Sequence, residues 1–330
     1  MNAPWKASRI SMPRCPVGAD RIDAFLGRKG DEGAELRAEG MRRGMALAKE
    51  RRVLVSLLKR SGLVGPDRPL GAALDAIAHA GLFRDGAVLV GTAAYMMREP
   101  HAGSRLPAPT LMTGDPDLAT ASLALTADPP ERMEAVLRRA DPSYEGVMQL
   151  DPRQPASRFR NATGYLVDLI TPIRTRHDVN PMRLDALAAG VVPLQYLSWL
   201  IIDPMPTVAL WGSGIAVKIP QPARFAVHKL ILAQRRDAAS RLKRTKDLAQ
   251  AAALIAALRR HDPFALEDAM ENARAQGTAG WADPIKRSCL NCKSTAETVP
   301  LRLRRQVGYA KAYKLPPRGR VFREPCNRIG

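Results

Sequence analysis

Residues 87–96 read Ala-Val-Leu-Val-Gly-Thr-Ala-Ala-Tyr-Met. Four apolar residues between two glycines are typical of a short buried strand. The residues after Gly91-Thr92 favour a helix. This stretch therefore predicts a strand that ends at Gly91-Thr92 and passes directly into a helix, and the rest of the chain is interpreted around that unit.

Further elements are predicted on both sides of this unit from apolar periodicity and from glycine and proline punctuation. The segment from Leu194 to Ile202 is apolar, and its pattern leaves helix and strand equally open. The predicted strands are Thr120 to Thr126 and Tyr165 to Ile170, the second ended by Thr171-Pro172, with a hairpin over Trp211 to Pro220. The predicted helices are one or two between Asp20 and Arg60, ending at Ser61-Gly62, then Leu70 to Ala80 capped by Gly81, Pro129 to Ala140, and Ala223 to about Arg260 with a break near Ala239-Ser240.

The two ends of the chain show little periodicity. Residues 1 to about 19 carry three prolines and a glycine, and we expect them to be disordered. Residues 286–330 hold twelve Lys or Arg against Glu297 and Glu324. We expect four regions: a disordered start with N-terminal helices (1–65), a core (66–205), a hairpin with basic helices (206–275), and a basic, flexible tail (276–330).

Composition and charge restrict the class of protein. The chain has 330 residues, of which 46% are hydrophobic, so it can bury a substantial core. Its formal net charge of +19 favours nucleic acid or nucleotide phosphates as partners, although basic residues also accumulate without any such role. Four scattered cysteines predict no disulfide framework and fit a reducing cytoplasm. No apolar run is long enough for a membrane helix, so we expect no membrane partner.

Two carboxylates stand close together in Leu-Met-Thr-Gly-Asp-Pro-Asp-Leu-Ala-Thr, residues 111–120. In a strand, Asp115 and Asp117 would project from the same face, and such a pair usually requires a cation. Mg²⁺ prefers these hard oxygen ligands, and Mn²⁺ is an alternative. Asp168, in an otherwise apolar strand, is a candidate for the third carboxylate. Pro116 cannot donate to a sheet ladder, so an exposed turn remains the competing interpretation.

The order of these features resembles the nucleotidyltransferase superfamily of DNA polymerase beta type. A strand ending in Gly91-Thr92, a helix, the Asp115-Pro116-Asp117 segment, and then Val167-Asp168-Leu169-Ile170-Thr171-Pro172 follow one another as in that superfamily. Within it, the chain is similar over roughly residues 50 to 260 to a bacterial nucleotidyltransferase-like family, whose members also carry segments like those around Lys229 and Lys246-Asp247-Leu248. Pro116 departs from the superfamily pattern, which has an apolar residue there.

The resemblance implies an α+β fold with a polymerase-beta-like core, in which helices flank a mixed sheet, with N-terminal helices and a C-terminal helical region. It implies that Asp115, Asp117 and Asp168 bind Mg²⁺, and that Gly91, Thr92, Lys229 and Lys246 contact the nucleotide. The activity implied is transfer of a nucleoside monophosphate from an NTP to an acceptor, RNA or a protein hydroxyl, with release of pyrophosphate. The alternative is an inactive protein of the same fold that binds nucleic acid.

Four other residues are given no part in the site. Asp247 is expected to pair locally with Lys243, four residues earlier on the same helix. His228 points about 100° away from Lys229 around the helix, and we expect a structural role for it. Cys289 and Cys292 form a single Cys-x-x-Cys, which lacks the two further ligands that a zinc site needs.

Overall fold

A computed structural model describes residues 31–99, 106, 120–124, 131–149, 154–173, 181–185, 187–237 and 240–289, together with the backbone of residues 9–11 and 23–25. Asp115, Pro116, Asp117 and residues 290–330 of the expected basic tail, with Cys292, lie outside these residues. None of the helices in the described ranges is both long and apolar enough to cross a membrane.

A mixed sheet forms the centre of the molecule. Its strands run in the order β3 (Val88–Val90), β4 (Thr120–Ala124), β7 (Leu166–Pro172), β6 (Arg158–Arg160) and β5 (Glu145–Gly146). β3 is antiparallel to β4, whereas β4 is parallel to β7. The second half of β7 pairs in parallel with β9 (Ala189–Leu194), which pairs in turn with β8 (Met182–Leu184). The predicted α+β fold with helices around a mixed sheet is confirmed.

One side of this sheet is covered by α2 (Arg68–His79), α4 (Met133–Arg138) and the hairpin of β10 (Met205–Ala209) and β11 (Ile215–Ile219). Asp67 caps α2 by accepting a hydrogen bond from the Leu70 amide at 3.0 Å. Gly81, at φ +86°, follows the end of α2 in the left-handed conformation that glycine adopts without strain. The helix predicted over Leu70 to Ala80 is therefore confirmed.

A second apolar core joins the sheet to the C-terminal helices. These are α6 (Pro222–Arg235), α7 (Arg241–His261) and α8 (Pro263–Ala275), which pack on the short helices α3 (Gly91–Met96) and α5 (Leu197–Leu200). The long helical stretch with a break near Ala239-Ser240 is confirmed. The segment from Leu194 to Ile202, whose sequence pattern left helix and strand open, contains the last residue of β9 and the whole of α5.

Three expectations are corrected. The hairpin begins earlier than predicted, because Trp211 to Gly214 form its turn, with Gly212 and Gly214 at positive φ. β1 (Arg9–Ser11) pairs with β2 (Asp23–Phe25), although disorder was expected up to about residue 19 and helix after Asp20. A π-helix over Thr278–Ala282 continues as an α-helix over residues 283–289, where the periodicity had suggested none.

N-terminal to the core stands α1 (Glu32–Arg60), a single 29-residue helix that ends, as predicted, at Ser61. Its buried residues are Ala34, Ala38 and Val55. Most of its surface is therefore exposed, in contrast to α2 and α6.

Candidate functional site: a basic cavity on the sheet

A cavity of about 720 Å³ lies between one face of the sheet and α6. Its floor includes Val90, Asp168 and Ile170, from the central strands, and its wall includes residues of α6. Gly91 also lines it, where β3 ends and α3 begins. Gly91 has φ +68°, so the sharp passage from strand to helix uses a backbone conformation that favours glycine. The volume lies in the range typical of small-molecule sites.

Asp168 occupies the centre of the sheet. In the ladder it stands between Ser122 of β4 and Arg158 of β6, and Ser122 is in turn opposite Val90. Arg158 donates to both carboxylate oxygens of Asp168, from Nε to Oδ1 at 2.5 Å and from Nη2 to Oδ2 at 3.0 Å. These two hydrogen bonds to Asp168 raise the pKa of Arg158 above its ordinary value. The pair therefore places a fixed, partly solvated carboxylate on the cavity floor.

A buried ion-pair cluster forms the opposite wall. Lys229 Nζ donates to Asp247 Oδ1 at 2.5 Å, and Arg236 Nε donates to Asp247 Oδ2 at 3.1 Å. Burial acts to raise the pKa of Asp247, but the charges of Lys229 and Arg236 outweigh it and hold that pKa below its usual range. Local pairing of Asp247 with Lys243 was expected, and the packing of α6 on α7 brings Lys229 to the same carboxylate.

His228 is the least satisfied polar residue of this wall. It is buried and lines the cavity, and its Nδ1 has no hydrogen-bond partner among the described residues. Burial, followed by the nearby charge of Lys229, lowers the pKa of His228 to about 3. The imidazole is therefore neutral at physiological pH.

An aromatic and cationic edge completes the cavity. Tyr196 lines it with a left-handed backbone (φ +64°), which is uncommon for a residue with a side chain. Arg235 Nη2 donates a hydrogen bond to the Tyr196 hydroxyl at 2.6 Å. The rings of Tyr196 and Trp281 are in edge-to-face contact, with 4.8 Å between their centroids. This arrangement holds a flat ring and a guanidinium side by side at the cavity edge.

Positive charge dominates the lining. Among the lining residues that the structure describes, the cations are Arg158, Lys229, Arg235 and Arg236 and the one carboxylate is Asp168, while Asp247 stands behind Lys229 and Arg236. Four cationic side chains around one concave surface attract polyanions and concentrate them there. The cavity is therefore chemically suited to a ligand that carries several phosphate groups.

Some of the predicted site residues line the cavity and others do not. Gly91, Asp168 and Lys229 come together in the cavity lining. Thr92 and Lys246 are half-buried and are not part of that lining. Asp115 and Asp117 lie outside the described residues; in sequence, Asp117 stands three residues before Thr120, the start of β4. Arg158, Tyr196 and Arg235 were not predicted, and for Arg158 the alternation Arg-Phe-Arg before a strand was the available signal.

The described residues supply one candidate ligand for a divalent cation, the carboxylate of Asp168. Among the described residues, no three of His, Cys, Asp and Glu cluster closely enough to hold a metal ion. The two further ligands that the resemblance implies, Asp115 and Asp117, lie outside the described residues. Three carboxylates supply the hard oxygen ligands that Mg²⁺ and Mn²⁺ accept.

The chain is similar to a crystal structure of an antigenic nucleotidyltransferase-like protein from Paracoccidioides brasiliensis, at 17% identity over 73% of this chain and 92% of that one, with a TM-score of 0.28. A likeness this weak supports no further statement. No curated protein matches the chain. A family profile described as Nucleotidyltransferase matches residues 68–275, which is more than half of the sequence. The chain belongs to this nucleotidyltransferase family.

Proposed function

We propose that this protein is a metal-dependent nucleotidyltransferase of the DNA polymerase beta type, which transfers a nucleoside monophosphate from an NTP to a hydroxyl acceptor. The observation that supports this most directly is the cavity whose lining brings Asp168 together with Arg158, Lys229, Arg235 and Arg236. Family membership supports nucleotidyl transfer in general, and the cavity adds a place for the nucleotide.

In this proposal the triphosphate lies against the cationic wall. Arg235 and Arg236 neutralise phosphate oxygens, and Lys229, which lines the cavity in front of its partner Asp247, adds to the positive field. The apolar floor around Ile170 excludes water from the other side of the ligand. Tyr196 offers a flat surface on which a nucleobase can stack.

Asp168 acts on the acceptor. Mg²⁺ or Mn²⁺, held by Asp115, Asp117 and Asp168, would supply charge neutralisation of the reacting phosphate. Arg158 fixes the Asp168 carboxylate, which orients the acceptor hydroxyl and accepts its proton. The hydroxyl oxygen forms a bond to the α-phosphorus while the bond to the pyrophosphate oxygen breaks. The products are the nucleotidylated acceptor and pyrophosphate.

RNA is the acceptor that the charge favours. A net charge of +19 attracts a polyanion such as RNA. A protein hydroxyl is chemically equivalent at the reacting oxygen, so the two acceptor classes are separated by experiment.

The test is a transfer assay with each of the four α-labelled NTPs, total cellular RNA, total cellular protein, and Mg²⁺ or Mn²⁺. We expect label on one acceptor class, and a loss of at least about a hundredfold in Asp168→Asn and in Asp115→Asn/Asp117→Asn. Asp185→Asn is the matched control, because Asp185 also pairs with an arginine, Arg183, but outside the cavity lining. Absence of transfer to any acceptor would contradict the proposal.

A second candidate function is favoured by the Arg158–Asp168 geometry itself. Both carboxylate oxygens of Asp168 already accept hydrogen bonds from Arg158, as in a purely structural ion pair. The candidate is a non-catalytic protein of the same fold that binds nucleic acid. It predicts salt-dependent RNA binding that persists without metal and in Asp115→Asn/Asp117→Asn, with no transfer of label.

A further inference from the structure

An exposed apolar stripe follows α1. Its members Leu36, Leu47, Leu54 and Leu58 are 65%, 51%, 57% and 42% exposed. At 3.6 residues per turn, these four positions fall within about 40° of one another around the helix. The buried residues of α1, Ala34, Ala38 and Val55, lie on another side. A helix of 29 residues, about 43 Å long, therefore carries a leucine stripe that does not face the core.

Glycines lie beside the stripe. An ideal Cβ at Gly40 or Gly44 would meet no atom within 4 Å, so neither glycine is required by packing within the chain. Glycine inside a helix costs about 0.5 to 1 kcal/mol relative to alanine. Small residues at a helix surface permit close approach of another helix. Contact with a second helix would therefore explain Gly40 and Gly44, which packing within the single chain does not.

The charges beside the stripe specify the orientation of a partner helix. Arg43 and Glu50 lie on the same side of the stripe, four residues before and three residues after Leu47. In an antiparallel pair of α1 helices centred on Leu47, Arg43 of each copy faces Glu50 of the other. The same symmetry places Leu36 opposite Leu58 of the second copy, and Gly40 opposite its Leu54. In a parallel pair, one side of the stripe faces the other side of the partner's stripe, so Arg43 and Glu50 would not meet across the interface.

We propose that two copies of this chain associate through α1, antiparallel, with the leucine stripe at the interface and two Arg43–Glu50 pairs across it. The stripe supplies the apolar contact area, the glycines permit close approach, and the charge pairs select the antiparallel register. In the single chain Arg43 bonds Glu39 at 2.8 Å in an exposed i, i+4 pair, which is weak enough to be exchanged. The inference does not depend on the nucleotidyltransferase activity.

The test is sedimentation equilibrium of the full-length chain and its variants. We expect a dimer for the wild type and a dissociation constant at least about a hundredfold higher for Leu47→Glu, which places two carboxylates at the centre of the stripe. The control is Leu242→Glu on α7, because Leu242 is comparably exposed (61%) but lies on another helix. A monomeric wild type, or a dimer unaffected by Leu47→Glu, would overturn the proposal.

Charge reversal tests the antiparallel orientation of the two helices. It also distinguishes a lost charge pair from a variant that has misfolded. Arg43→Glu and Glu50→Arg should each raise the dissociation constant about tenfold, equivalent to about 1.4 kcal/mol. The double variant Arg43→Glu/Glu50→Arg should restore the wild-type value, which a damaged fold would not allow. If the double variant is as weak as the two single changes combined, the antiparallel register is wrong.

Discussion

Asp247 shows how much of the site depends on one buried carboxylate. It is 1% exposed and accepts hydrogen bonds from two cations. Asp247→Asn would leave Lys229 and Arg236 without their counter-charge in a desolvated position. We predict a loss of about 3 to 5 kcal/mol in the free energy of unfolding, measured by urea titration.

The control for this prediction is Asp185→Asn in the exposed Arg183–Asp185 pair, expected to change stability by less than about 1 kcal/mol. The double variant Lys229→Met/Asp247→Leu should lose less stability than the two single variants together, because both buried charges are removed at once. Additive losses would show that Lys229 and Asp247 do not interact.

His228 makes stability sensitive to acid. Its pKa is about 3 in the folded chain and about 6.5 when unfolded, so below about pH 6.5 the unfolded chain binds a proton that the native chain does not. Stability is therefore lost as the pH falls through this window, by about 2 kcal/mol at about pH 5. Urea titrations at pH 7 and 5 should show that His228→Gln removes this part of the loss, whereas His261→Gln, on an exposed histidine, does not.

Among the elements, α2 and the β10–β11 hairpin have the tightest contact. An ideal Cβ on Gly71 would lie 2.2 Å from Cδ2 of Trp211, the first residue of the hairpin turn. Gly71→Ala would raise helix propensity, but the steric overlap forces one element to move. We predict a net loss of about 1 to 3 kcal/mol by urea titration.

The matched test of this contact is a double-mutant cycle. In a Trp211→Leu background, the same Gly71→Ala substitution should cost less, because the smaller side chain leaves room for the methyl group. An equal cost in both backgrounds would mean that the penalty arises elsewhere in α2.

At the scale of the whole molecule, charge is distributed unevenly along the sequence. Residues 290–330 contain ten Lys or Arg and two Glu. If RNA is the partner, a chain that ends at residue 289 should bind it more weakly, with a shallower dependence of log affinity on log salt concentration. Filter binding at several salt concentrations measures both quantities, and an unchanged slope would show that the tail makes no phosphate contacts.

The sequence by itself determined the elements around the site. Apolar periodicity and glycine placement predicted the strand before Gly91, the strand of Asp168 and the helix of Lys229, because backbone conformation follows local pattern. It also determined the family resemblance, which rests on the order of short motifs along the chain. The α8 helix was missed, and the hairpin was placed several residues late.

Only the tertiary structure decided which side chains meet. The antiparallel ladder of β6 and β7 gives Asp168 its partner Arg158, ten residues earlier in the chain. The packing of α6 on α7 gives Asp247 the partner Lys229, eighteen residues away in the sequence. Spacing along one element predicts neighbours on that element alone. Contacts between elements depend on how they pack to bury apolar surface, which brings together residues distant in sequence.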